Sequence, residues 1–163
     1  MTFNIIHVGL GGWGTDWERT ALASIADRVT VTGIVEDYAP NMQRAQEMLG
    51  YTPAQSFTSL TAAMAAVPAD AVLITAPAPF HMPLAIEAMR AGKHVLSEKP
   101  MAPTPEDALE GIRVSRETGM HLQISQNYRY YPAPIKATQL LRDGALGGLA
   151  RVHVDFRQWV HDA

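Results

Sequence analysis

Five short apolar runs recur along the first 125 residues, at positions 4–8, 29–35, 71–75, 94–97 and 121–125. They are nearly continuous in hydrophobicity and rich in Val and Ile, which is the pattern of strands buried on both faces. Helical patterns separate them. One opens in the glycine-rich turn after residue 8 and runs through about Ile25; a second covers 40–49 and is closed by Gly50. Ser59 is placed to cap an alanine-rich helix reaching Ala66, and another helix ends at Ala91-Gly92. Thr104-Pro105-Glu106-Asp107 starts the next, with a hydroxyl cap, proline at the first helical position and acids in the first turn. Strands alternating with helices in this way predict an α/β fold, a doubly wound parallel sheet covered on both sides.

The character changes after residue 126. The spacing predicts a helix over 134–142, a glycine-rich loop, and then strict alternation in "LARVHVDFRQWV". Val152, Val154, Phe156 and Val160 fall on one face, with Arg151, His153, Asp155 and Arg157 on the other. Residues 1–126 therefore read as one domain. Residues 127–163 read as a linker helix and the first strand of a second, incomplete α+β domain. A lone amphipathic strand needs partners for its backbone and its apolar face, so the expectation is a piece of a longer polypeptide, or one half of an assembly that completes the sheet.

Composition removes several classes of function. With 47% hydrophobic and 18% charged residues the chain is an ordinary globular one. A net charge of −3 and scattered basic residues give no footprint for nucleic acid. There is no cysteine, so disulfides, thiolate metal sites and a cysteine nucleophile are excluded. No apolar stretch reaches the ~20 residues of a membrane span, and the N-terminus lacks the regions of a signal peptide. The expectation is a cytoplasmic protein with no membrane, nucleic-acid or metal partner.

Two stretches carry chemistry. "GLGGWG", from Gly9 through Gly11 and Gly12 to Trp13 and Gly14, fits G-x-G-x-x-G directly after a strand and at the start of a helix. In that setting Gly9 permits the turn, Gly11 lets the backbone approach a pyrophosphate, and Gly14 lets helix and strand pack closely. Gly12 and Trp13 count with them as candidate cofactor contacts, although Trp13 and Trp17, one helical turn apart, also suit mutual packing. An acid about 20 residues further on accepts the ribose hydroxyls in such sites. Glu36 and Asp37 both qualify, and Asp37 is equally placed to cap the following helix. A carboxylate there repels a 2′-phosphate and favours NAD over NADP. The second stretch is "LSEKP", where a strand ends in Ser97-Glu98-Lys99-Pro100. Most lysines at such places are merely solvated, but the carboxyl ends of parallel strands are where open α/β sheets bind ligands. His7, His94, His121 and His153 have no ligand-like spacing and read as structural; His81 is ambiguous.

Taken with the glycine loop, "TAPAPFHMPLAIEAMRAGKHVLSEKPMA", "NYRYYP" and "GALG" make the sequence resemble the Gfo/Idh/MocA family of oxidoreductases. The resemblance covers the chain and places the ribose acid at Asp37. It implies that Thr75, Ala76, Pro77 and His81 line the adenosine and pyrophosphate side. Glu98 and Lys99 would sit by the nicotinamide, with a cis Lys99–Pro100 bond admitted. Asn127, also a cofactor contact, and Arg129 would border a carbohydrate-like substrate together with Lys99, the catalytic candidate. The implied activity is hydride transfer between NAD(P) and a sugar, polyol or related hydroxy compound. A homo-oligomer, or completion by a C-terminal domain carrying the remaining acid–base group, is implied too. A dinucleotide-binding sensor without turnover is the alternative.

Overall fold

The computed structural model describes residues 2–155. The chain divides into two compact units, one ending at Ser125 and one beginning at Gln126. In the first, six parallel strands form one sheet in the order β3-β2-β1-β4-β5-β6. They are β1 (Phe3–Val8), β2 (Val29–Val35), β3 (Ser56–Phe57), β4 (Ala71–Ile74), β5 (His94–Ser97) and β6 (Leu122–Ile124). The helices between them are α1 (Gly12–Trp17), α2 (Ala39–Leu49), α3 (Leu60–Ala66), α4 (His81–Arg90) and α5 (Pro105–Thr118). This is the doubly wound architecture expected.

Alternation along the strands distributes the core. Ile6 and Val8 of β1, with Val72 and Ile74 of β4, point to one side and pack with Leu60, Met82, Met89 and Val114 from α3, α4 and α5. Ile5, Ala71 and Leu73 point to the other, against Leu22, Trp17 and Ile25. Leu10, Ile34 and Ala45 close the core under α2. Burying a side chain of this size contributes ~1.5–3 kcal/mol, so the central strands are the rigid floor from which the loops project.

Two local features differ from expectation. β3 is an additional strand: its two residues pair in parallel with Ile34 and Val35, and so short a run leaves no periodicity to read. The helix through Ile25 is not uniform, for α1 continues as a π turn, Glu18–Leu22, and a 3₁₀ turn, Ala23–Ile25. Thr104 and Ser59 cap as expected, accepting from the Asp107 and Ala62 N–H groups, and Gly50 and Gly119 end α2 and α5 in the left-handed conformation.

In the second unit, a 3₁₀ turn (Asn127–Tyr130) precedes α6 (Pro132–Arg142). That helix starts two residues before the predicted position, with Pro132 at its first turn. Residues 151–155 lie outside any strand; alternation supplies a strand's faces but not its ladder of partners. Phe156, Arg157 and Val160 lie outside the described residues. Among the described residues, no helix is long and apolar enough to cross a membrane.

Candidate functional site

At the carboxyl end of β1 the chain turns through Gly9, whose φ of +92° is a conformation that favours glycine. A Cβ on Gly9 would lie 2.6 Å from Ala76 Cα and 2.8 Å from the Thr75 carbonyl carbon, so this loop rests directly on the turn after β4. A Cβ on Gly14 would overlap the Gly9 carbonyl oxygen and come within 2.7 Å of Thr75 Oγ1. Gly11 and Gly12 are the opposite case. A Cβ on Gly11 would meet only Asn41 Nδ2, at 4.0 Å, and one on Gly12 would meet nothing within 4 Å. Two glycines are thus required for closeness, and two leave the N-terminus of α1 uncovered. An open backbone at a helix N-terminus, with free N–H groups and a partial positive charge, fits a pyrophosphate.

The two acids at the end of β2 have different environments. Glu36 is 9% exposed. Its carboxylate accepts from the Leu10 N–H at 2.8 Å, the Tyr38 N–H at 3.1 Å and the Asn41 side-chain amide at 3.4 Å. Glu36 therefore ties β2 to the glycine loop. Asp37 is exposed, and the residue at the α2 N-cap is Tyr38, with no side-chain cap. Both acids face a cavity of about 480 Å³ lined also by Gly9, Ser59, Ala76 and Pro77.

A second cavity, about 340 Å³, is lined by Trp13, Thr75, Ala76, Pro77, His81, Glu98 and Lys99. Ala76 and Pro77 belong to both. His81, at the start of α4 and buried, has Nε2 2.7 Å from the Ala76 carbonyl oxygen and Nδ1 2.7 Å from that of Pro100. Its ring joins the two turns that carry the candidate residues. Glu98 is buried: its carboxylate accepts from Trp17 Nε1 and from the Lys99 N–H, each at 3.1 Å. Lys99 is exposed at the rim, and its bond to Pro100 is cis.

Sequence reasoning missed several contributors. Trp17 does not pair with Trp13: it packs with the Ile5–Leu73 cluster and bonds Glu98, whereas Trp13 is 57% exposed beside the second cavity. Helical spacing put the two rings on one face, but the core drew in only one of them. Asn41 carried no motif and Ser59 was expected only as a cap; both reach the first cavity because α2 and α3 start there. The candidates from Gly9 to Lys99 all belong to the first compact unit. Asn127 and Arg129 belong to the second, in its 3₁₀ turn, where Asn127 Oδ1 accepts from the Tyr128 N–H at 3.0 Å. Among the described residues, no three His, Cys, Asp or Glu side chains converge as metal ligands.

A doubly wound sheet with an open glycine loop at the reversal of strand order defines a dinucleotide-binding domain. The family model described as "Oxidoreductase family, NAD-binding Rossmann fold" (Gfo/Idh/MocA) matches residues 3–126. The chain belongs to this family. It is 32% identical over 144 residues to an inositol 2-dehydrogenase of Corynebacterium glutamicum, a match covering 87% of this chain and 42% of that protein. Its fold is similar to that of the WlbA dehydrogenase from Bordetella pertussis in complex with NADH and UDP-GlcNAcA, with a TM-score of 0.82 and 28% identity over 90% of this chain and 44% of the other. It is also similar to scyllo-inositol dehydrogenase from Lactobacillus casei with bound NAD(H) and scyllo-inositol, with a TM-score of 0.78 and 26% identity, covering 90% and 43%. The chain thus spans less than half the length of these relatives.

Proposed function

We propose that this chain binds NAD(H) and supplies the cofactor half of a dehydrogenase acting on a sugar, polyol or related hydroxy compound. The observation that carries this reading is the pair of cavities meeting at Ala76 and Pro77 beside the glycine loop, with Asp37 facing one and Lys99 the other. A dinucleotide spans such a pair, with its pyrophosphate over Gly9–Gly14 and its adenosine ribose on the exposed Asp37 carboxylate. The same carboxylate opposes a 2′-phosphate and favours NAD over NADP. The ligands bound in two structural relatives, NADH and NAD(H), support the same reading.

When bound, the nicotinamide supplies the hydride chemistry. The chain's own residues supply orientation and field. Glu98, held by Trp17 and the Lys99 N–H, fixes the strand end from which Lys99 projects. The Lys99 ammonium stabilises negative charge developing on a carbinol oxygen and holds or returns the proton there. Asn127 and Arg129 are proposed to border the substrate, with Asn127 also touching cofactor.

Calorimetric titration of the complete protein with NADH and NADPH tests this. The expected result is preference for NADH, reduced about 10- to 100-fold by Asp37→Ala through lost charge-assisted hydrogen bonds, with NADPH binding spared. Binding of neither dinucleotide overturns the reading. Lys99→Ala is expected to lower kcat by about 10²–10⁴ while leaving NADH affinity within a few-fold; unchanged turnover removes Lys99 from the chemistry.

A further inference from the structure

His7 is a residue that the core does not need. It lies in the middle of β1, fully buried, on the face where Ile5 packs apolar neighbours. Any β-branched residue would serve the sheet there. Instead, its ring joins four polar groups into a chain beneath the glycine loop. Nδ1 lies 2.7 Å from Glu18 Oε1, and Nε2 lies 2.8 Å from Thr75 Oγ1. The Thr75 hydroxyl in turn faces the Gly9 carbonyl oxygen at 2.6 Å and that of Val8 at 3.2 Å. On the far side, the Tyr51 hydroxyl donates to Glu18 Oε2 at 3.0 Å. The Glu18 side chain is 7% exposed, and the π turn that starts at Glu18 brings it under β1.

Counting protons gives the chain a direction. Carbonyl oxygens only accept, so the single Thr75 hydroxyl hydrogen goes to the Gly9 carbonyl, the shorter contact. Thr75 Oγ1 must then accept from His7, which fixes the N–H on Nε2. One further proton lies between Nδ1 and Glu18 Oε1, whichever atom holds it. The sequence is Tyr51 to Glu18, His7 to Thr75, and Thr75 to Gly9. No buried side-chain polar atom among the described residues lacks a partner.

The end of this chain is the place where the loop is decided. Thr75 Oγ1 bonds the Gly9 carbonyl and is also the side-chain atom against which α1 closes at Gly14. We propose that His7 and Glu18 are positioning residues for the dinucleotide, acting through the Thr75 hydroxyl to hold the Gly9 carbonyl and with it the orientation of the loop N–H groups. The proposal rests on the dinucleotide reading above. It adds a dependence of affinity on two buried side chains that touch no part of either cavity.

A design that separates positioning from stability uses the double variant His7→Phe/Glu18→Leu. Replacing a buried hydrogen-bonded couple by apolar groups is neutral or stabilising in many proteins when no partner is left unpaired. The variant is therefore made in a Tyr51→Phe background, because Glu18→Leu alone would orphan the Tyr51 hydroxyl. The fold then survives while the hydrogen bond to Thr75 is lost. In the complete protein, this variant is expected to keep its melting temperature and to bind NADH about tenfold more weakly. Thr75→Val should show a similar loss, and adding His7→Phe/Glu18→Leu to it should cause little further loss, because both act through one hydroxyl. Glu18→Gln keeps the direction of the chain, its amide donating to Nδ1 and its carbonyl accepting from Tyr51. It is expected to restore affinity to within a few-fold of the unsubstituted protein. Full NADH affinity in the double variant, or fully additive losses with Thr75→Val, overturns the proposal alone; absence of NADH binding by the unsubstituted protein overturns the dinucleotide reading and the proposal together. A measurement without substitutions stands beside these: ¹⁵N spectra of the His7 imidazole should show Nε2 protonated, and a bare Nε2 overturns the assignment of the chain.

Discussion

At the scale of single residues, the glycines of the loop have opposite duties, and substitution separates them. Gly14→Ala forces a methyl group onto the Gly9 carbonyl; overpacking of this kind costs about 1–3 kcal/mol or more. It should lower the melting temperature and abolish NADH binding together. Gly12→Ala meets no protein atom, so it should leave the melting temperature within a degree or two while still weakening NADH, because the methyl group enters the space proposed for the pyrophosphate. Comparing thermal unfolding with calorimetry on the two variants checks this; equal effects on stability would contradict it. Tyr51 provides a pH test. Burial first, then the charge of Glu18 and the hydrogen bond to it, raise the Tyr51 pKa far above its ordinary value of about 10. The folded state therefore holds this proton when the unfolded chain has released it, and stability falls as pH rises above about 10. Tyr51→Phe should flatten that part of the profile, as followed by denaturant melts between pH 9 and 11. The G-x-G-x-x-G pattern announced the loop, but not which glycine serves closeness and which serves openness. That division depends on Thr75 and Ala76, over sixty residues away.

At the scale of elements, caps and strands were legible because they are local. Thr104 and Ser59 act through N–H groups three residues on, and Gly50 and Gly119 act at the helix ends they occupy. The π turn after α1 was not legible, since no residue of Glu18–Leu22 signals it locally, and the partners Glu18 meets there, His7 and Tyr51, lie elsewhere in the sequence. The contact between α4 and α5 shows the same dependence. A Cβ on Gly111 would overlap Met82 Sδ, and Met82 is 1% exposed. Gly111→Ala is therefore expected to destabilise by about 1–2 kcal/mol net of its helix-propensity gain. In a Met82→Ala background the same change should stabilise by about 0.5–1 kcal/mol. Denaturant titration of the cycle measures the coupling; a Gly111→Ala effect independent of residue 82 would contradict this packing.

At the scale of the whole molecule, the site follows from topology. β1 lies between β2 and β4, so successive connections leave it in opposite directions and open a crevice above its carboxyl end. Gly9, Glu36, Thr75 and Glu98 reach that crevice from four strand ends. Each was legible as the end of an apolar run. The strand order that unites them follows from the doubly wound pattern rather than from any single residue. Less legible was the second unit: alternation over 149–160 named the faces of a strand, but a strand's partners are not written within it. The chain spans less than half the length of its relatives. The decisive measurement is a crystal structure of the complete protein with NADH. The expected complex has the adenosine ribose on the Asp37 carboxylate, the pyrophosphate over Gly11 and Gly12, and the nicotinamide beside Lys99. A dinucleotide bound with its halves exchanged between the two cavities, or bound away from the glycine loop, would contradict it.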